Sequence, residues 1–172
     1  MIKVLFVCLG NICRSPMAEG ILEDVIGKRG LKEKLRTDSA GTAAYHTGEL
    51  PDPRMRQTAR QHGLQLTHRA RQLRVEDLYQ FDYILAMDRA NLDDILKLSL
   101  ANRREGQAKI MLLRDFDPQP GSGNVPDPYY DGQDGFEEVY QMLQRSIQSL
   151  TEFLMNESPE RNGIRHKSDP IF

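Results

Sequence analysis

Residues 2–7, IKVLFV, lead without a break into Cys8-Leu9-Gly10-Asn11-Ile12-Cys13-Arg14-Ser15, and Pro16 follows. A nearly unbroken apolar hexapeptide is the pattern of a central parallel strand covered on both faces. Ser15 suits a helix cap, and Pro16 suits the first helical position, where a missing N–H costs little. Beyond them Met17, Ile21, Leu22, Val25 and Ile26 recur at helical spacing, while Glu19, Glu23, Asp24 and Lys28 fall mostly on other faces until Gly30. Strand, tight loop and amphipathic helix in this order confine the chain to an α/β architecture with right-handed crossovers.

The pattern recurs. A short strand is predicted near 36–40, a polar helix from Asp52 to His62 stopped by Gly63, and an apolar strand over 83–86. Asp88 then caps a helix running to about Leu98, and a fourth strand covers 110–113. The Pro/Gly/Asp-rich stretch 115–135 is long for a structureless connection, and such loops often carry function. A last helix from about Phe136 to Met155 presents Val139, Leu143, Ile147, Leu150 and Leu154 to the core. The chain of 172 residues, 39% hydrophobic, is long enough for one core, so a single domain over 1–156 is expected, followed by a flexible polar tail over 157–172. Ligands of such sheets bind beyond the carboxyl ends of the strands, where residues 8–15 lie.

Charge and cysteine content narrow the function classes. With 23 Lys+Arg against 25 Asp+Glu, a net charge of −2 gives no global attraction to nucleic acid or an anionic membrane. No apolar run approaches the roughly 20 residues that span a bilayer, and the N-terminus enters a strand rather than a signal peptide, so a cytoplasmic protein without membrane insertion is expected. Cys8 and Cys13 are the only cysteines. Two thiols this close can neither staple a domain nor complete a four-ligand zinc site, so they call for a chemical explanation.

A loop joining a buried strand to a helix N-terminus turns unpaired N–H groups and a positive dipole end toward an anion, which describes a phosphate cradle. Cys8 at its start gains a stabilised thiolate from that dipole and from Arg14, and so becomes a nucleophile. The Arg14 fork can hold two phosphoryl oxygens in an in-line transition state. Ser15 can donate its hydroxyl to the Cys8 sulfur as it departs, and Gly10 gives the loop backbone freedom. Neither a Walker A loop nor a dinucleotide fingerprint follows the strand. A leaving oxygen also needs a proton, and Asp127, between Pro126 and Pro128, is the candidate general acid. An Asp-Pro turn alone is ordinary; coupling to the cysteine loop is what singles Asp127 out. Tyr129 and Tyr130, with Tyr45, can wall an aromatic ring.

The segments 8–16, Asp38-Ser39-Ala40-Gly41-Thr42, His68-Arg69-Ala70-Arg71-Gln72 and Asp127-Pro128-Tyr129-Tyr130 together resemble low-molecular-weight protein tyrosine phosphatases, over about residues 2–156. The resemblance implies a single three-layer domain with a four-stranded parallel sheet flanked by helices. It implies hydrolysis of protein phosphotyrosine through a cysteinyl phosphate with no metal or cofactor. Cys8 would be the nucleophile, Arg14 the phosphate clamp and Asp127 the acid and base, with Leu9, Gly10, Asn11, Ile12, Cys13 and Ser15 completing the phosphate-binding loop. Asn11, Ser39 and His68 would form a hydrogen-bonded support, and Cys13 could form a disulfide with Cys8 under oxidation. The implied partners are phosphotyrosine proteins, an autophosphorylating tyrosine kinase among them, and the implied state is a monomer. Tyr45 stands where many eukaryotic members carry tryptophan, and the chain extends beyond the usual family length. Related arsenate reductases need further cysteines that this chain lacks. Related protein arginine phosphatases resemble it but carry threonine where this chain has Ile12. A catalytically dead phosphotyrosine-binding module would be expected to lose Cys8 or Asp127, and both are present.

Overall fold

Alternation along β1 (Ile2–Cys8) decides which face each of its side chains serves. Val4, Phe6 and Cys8 join one core cluster, Leu5 and Val7 the other. The computed structural model describes residues 1–103, 106–119 and 121–161, except for the side chains of 158–161. After β1 come α1 (Arg14–Lys28), β2 (Leu35–Gly41), α2 (Pro53–Gln61), the single turn α3 (Asp77–Gln80) and β3 (Tyr83–Ala86). They are followed by α4 (Arg89–Ala101), β4 (Lys109–Leu112), a 3-10 turn (Leu113–Phe116) and α5 (Gln133–Arg161). The four strands are all parallel, in the order β2-β1-β3-β4, so the chain winds outward from β1 in both directions. This is the expected three-layer α/β arrangement. One side of the sheet packs on α1 and α5 around Phe6, Met17, Leu22, Phe136 and Leu143; the other packs on α3 and α4 around Leu5, Leu78, Ile84 and Ile95.

Several boundaries differ from the sequence reading for identifiable reasons. Ser15 does not cap α1: Cys13 occupies the cap position without a side-chain hydrogen bond, and Pro16 is the third residue of the helix. The Ser15 hydroxyl is turned back toward Cys8 instead. Asp88 caps α4 as expected, accepting from the Asn91 amide at 2.7 Å, and Asp52, read only as the start of a helix, caps α2 by accepting from the Arg54 amide at 2.8 Å. Gly63, at φ +77°, ends α2 in the left-handed conformation that glycine adopts without steric cost. The stretch 115–135 is partly ordered by the 3-10 turn at one end and by α5 at the other, which starts three residues before Phe136. α5 continues through Arg161, past the expected stop near Met155, so the first five residues of the expected tail are helical; residues 162–172 lie outside the described residues. α3 was not anticipated, because four residues are too few to show a period.

Candidate active site

β1 ends at Cys8, 2% exposed, and the chain turns through residues 9–13 into α1. Within this turn the residue with positive φ is Asn11, at +57°, not Gly10. A side chain on Gly10 would meet His46 instead, its Cβ 3.0 Å from His46 Cδ2. Gly41, paired with Cys8 across the sheet, allows the loop to pass: a Cβ there would lie 2.7 Å from the Leu9 carbonyl oxygen. The Thr42 and Ala43 amides donate to the Cys8 and Leu9 carbonyls, and the Asp52 amide donates to Ile12. The loop is thus stitched to both β2 and α2.

The Asn11 side chain holds the left-handed turn. Its Nδ2 donates to Ser15 Oγ at 2.8 Å and Ser39 Oγ at 3.0 Å, while its Oδ1 accepts from the Arg71 amide at 2.9 Å and from His68 Nε2 at 2.8 Å. Ser39 donates to Glu19 Oε2 at 2.5 Å, and His68 Nδ1 faces Glu19 and Asp38 at 3.2 and 3.5 Å. Glu19, Asp38 and His68 each put a ligand atom within 4.8 Å of the others, and the His68 ring nitrogen already lies against both carboxylates. The structure therefore gathers the predicted Asn11, Ser39 and His68 beneath the loop and adds Glu19, Asp38 and Arg71, which sequence reasoning missed.

Two groups converge on the Cys8 sulfur: the Asn11 amide donates to it at 3.3 Å, and Ser15 Oγ, which accepts from Asn11 Nδ2 and reaches the Ala40 carbonyl at 3.4 Å, lies 3.0 Å from it. Cys13 is different. Burial first, then the charges of Asp52, Cys8 and Asp127, push its thiol far above the usual range. Both cysteines are free and buried. Arg14, 2% exposed, donates from Nη1 to Asp88 Oδ2 at 2.6 Å and to the Val125 carbonyl at 3.0 Å, and its Nη2 lies 3.5 Å from Asp127 Oδ2. Burial opposes the guanidinium charge, but Cys8, Asp88 and Asp127 outweigh it and hold Arg14 more firmly cationic than a free arginine. Asp88 thus serves both as helix cap and as the carboxylate that aims Arg14. Its place directly after β3, at the carboxyl end of the sheet, was the signal that could have revealed it.

Cys8, Ile12, Cys13, Arg14 and Asp127 line a cavity of about 310 Å³ whose mouth carries Tyr45, His46, Tyr129 and Tyr130. Tyr45 and Tyr130 are 76% and 94% exposed, so they form a rim open to solvent rather than a closed wall. The Asp127 carboxyl is partly exposed and accepts from the Tyr129 amide through Oδ1 at 3.1 Å. His46, paired with Glu49 at 2.8 Å, completes the rim and was not foreseen.

A cysteine, a buried arginine six residues on and a carboxylate on one cavity at the carboxyl end of a parallel sheet fit the class of phosphoryl-transfer proteins. The family model for low molecular weight phosphotyrosine protein phosphatase matches residues 3–160, and the chain belongs to this family. A Schizosaccharomyces pombe protein of that name is 46% identical over 143 residues, covering 83% of this chain and 90% of its own length. Among solved structures, a protein tyrosine phosphatase from Entamoeba histolytica is 39% identical with a TM-score of 0.84, covering 92% of this chain and 99% of its own. A Drosophila arginine phosphatase is 37% identical, also with a TM-score of 0.84, covering 88% and 97%.

Proposed function

We propose that the protein hydrolyses protein phosphotyrosine to tyrosine and phosphate through a cysteinyl phosphate on Cys8. The observation that carries this reading is the convergence of the Asn11 amide and the Ser15 hydroxyl on Cys8 Sγ, on a cavity that Arg14 and Asp127 also line. The thiolate attacks phosphorus, the S–P bond forms as the P–O bond to the phenol breaks, and Asp127 gives its proton to the departing oxygen. Asp127, now a carboxylate, takes a proton from water as the water oxygen bonds to phosphorus. The S–P bond then breaks, phosphate leaves, and Ser15 donates a hydrogen bond to the regenerated thiolate. Arg14 holds the phosphoryl oxygens throughout. The loop N–H groups and the start of α1 supply the remaining anion stabilisation.

Ile12, buried on the cavity, presents a branched apolar side chain to the leaving group, which favours a phenyl ring over a guanidinium. The similarity to a Drosophila arginine phosphatase makes phosphoarginine the second reading. Peptides carrying each modification, compared for wild type and Ile12→Thr, separate the two. Wild-type preference for phosphotyrosine, weakened by the substitution, supports the first reading, and wild-type preference for phosphoarginine overturns it. No helix among the described residues is long and apolar enough to cross a membrane. We further propose that the protein acts as a cytoplasmic monomer on tyrosine-phosphorylated proteins, an autophosphorylating kinase among them, with residues 1–156 as the phosphatase domain and 157–172 as an appended tail.

A further inference from the structure

Helix α2 faces the acid loop and α5 with a polar side chain at every fourth position. Arg54 lies over the rings of Tyr129 and Phe136, its Cζ 5.4 and 4.7 Å from their centroids. One turn on, Thr58 Oγ1 accepts from Gln133 Nε2 at 2.6 Å, and a turn further His62 bonds Glu137 at 2.9 Å and stacks on Tyr140 at 3.6 Å between ring centroids. The first of these contacts reaches the chemistry. The Asp52 amide donates to the Ile12 carbonyl at 2.8 Å, so the start of α2 is tied to the phosphate-binding loop itself. The Asp52 carboxylate grips Arg54 with two side-chain bonds, 3.0 Å from Nε and 2.9 Å from Nη2. Tyr129, under that guanidinium, donates its amide to Asp127 Oδ1 at 3.1 Å, and Asp127 Oδ2 in turn faces Arg14 at 3.5 Å. A continuous path therefore runs from the floor of the cavity through Asp52, Arg54 and Tyr129 to the partly exposed carboxyl group. Arg54 itself is not among the residues lining the cavity.

We propose that Arg54 is a positioning residue for the general acid: held by Asp52, its guanidinium fixes the Tyr129 ring and, through the Tyr129 amide, the place of the Asp127 carboxyl. This rests on the reading of Asp127 as the acid. A cation held by Asp52 over a π face gives the loop between Pro126 and Gln133 a contact from α2. Removing it frees Asp127 to leave the leaving oxygen while Cys8 and Arg14 keep their own partners.

The test is kcat/KM on phenyl phosphate, whose leaving oxygen needs a proton, and on p-nitrophenyl phosphate, whose leaving group departs readily without one. Wild type, Arg54→Ala, Arg54→Lys, Asp127→Ala and the double variant Arg54→Ala/Asp127→Ala are compared. Arg54→Ala is expected to lose roughly 10-fold on phenyl phosphate, a fraction of the roughly 10²–10⁴ that a positioned acid contributes, and less than about 3-fold on p-nitrophenyl phosphate. Arg54→Lys, which keeps the cation without the fork, falls between wild type and Arg54→Ala. In the Asp127→Ala background, Arg54→Ala changes neither ester, because the group it positions is gone. Equal losses on both esters, or an undiminished Arg54 effect without Asp127, would overturn the assignment. Should Arg54→Ala fail to fold, Arg54→Lys carries the same ester comparison and the same cycle. Wild type that hydrolyses neither ester would overturn the phosphatase reading itself, a result distinct from an Arg54 effect that ignores the leaving group.

Discussion

Asn11 holds φ +57°, a left-handed conformation that costs a non-glycine residue roughly 1–2 kcal/mol. Its side chain offsets that cost by bonding Ser15, Ser39, His68 and the Arg71 amide, and the result is an Asn11 amide aimed at Cys8 Sγ. Asn11→Ala keeps the strained position and removes what holds it. Activity on p-nitrophenyl phosphate is expected to fall about 10- to 100-fold, less than the roughly 10²–10³ cost of deleting a direct oxyanion donor, because the phosphate itself is still met by backbone and Arg14. Circular dichroism should show the fold retained. Unchanged activity would mean that the amide cluster is not what shapes the loop. Cys13, whose thiol burial raises well above the usual range, is the neighbour we propose to capture a sulfenic acid formed on Cys8. Wild type inactivated by hydrogen peroxide should regain activity with dithiothreitol, whereas Cys13→Ser should stay inactive; equal recovery would remove Cys13 from this role.

Secondary elements meet through carboxylates whose partners hold them ionised. Burial raises the carboxyls of Asp52, Asp117 and Glu137, but the opposing contacts together outweigh it and leave all three below the ordinary range: chiefly Arg54 at Asp52, Arg145 at Asp117, and Gln141 with His62 at Glu137. Asp117 ties the start of the acid loop to α5, with both its oxygens 3.0 Å from Arg145. The unfolded chain binds protons at these sites at higher pH than the folded one, so their stabilisation is complete above about pH 4, where free carboxyls titrate, and is lost as pH falls through the lowered values. Urea midpoints should drop steadily below about pH 4, and Asp117→Asn should flatten that drop while lowering the midpoint at neutral pH; an unchanged slope would separate Asp117 from the acid response. How legible such features were depended on their range. β1, α1 and the Asp88 cap announce themselves through local periodicity and side-chain chemistry. The Asp117–Arg145 pair, the Asp88 contact to Arg14 and the α2 stripe join residues far apart in sequence, and no spacing rule reports them. Ser15 was half legible: its use as a cap does not occur, while its contact with Cys8 on the preceding strand is the one the loop chemistry anticipated.

At the scale of the whole molecule, the sheet order β2-β1-β3-β4 brings Cys8 from β1, Gly41 from β2 and Asp88 beyond β3 to one end, and the long connection after β4 carries Asp127 to the same place. The residue types of the site could be read from the sequence; their convergence is a property of the topology. The residues lining the cavity end at Tyr130, and a chain ending at residue 161 should keep wild-type kcat/KM on p-nitrophenyl phosphate. A loss of more than about 3-fold would give residues 162–172 a part in the site. The account stands or falls on a covalent bond to one sulfur. The direct measurement is rapid acid quenching during turnover of a phosphotyrosine peptide, followed by mass spectrometry of the peptide containing Cys8. The account predicts one phosphoryl group on Cys8, more of it in Asp127→Ala, and none with Cys8→Ser, which should not turn over. Turnover by Cys8→Ser, or a phosphoryl group on any other residue of the working enzyme, would contradict it.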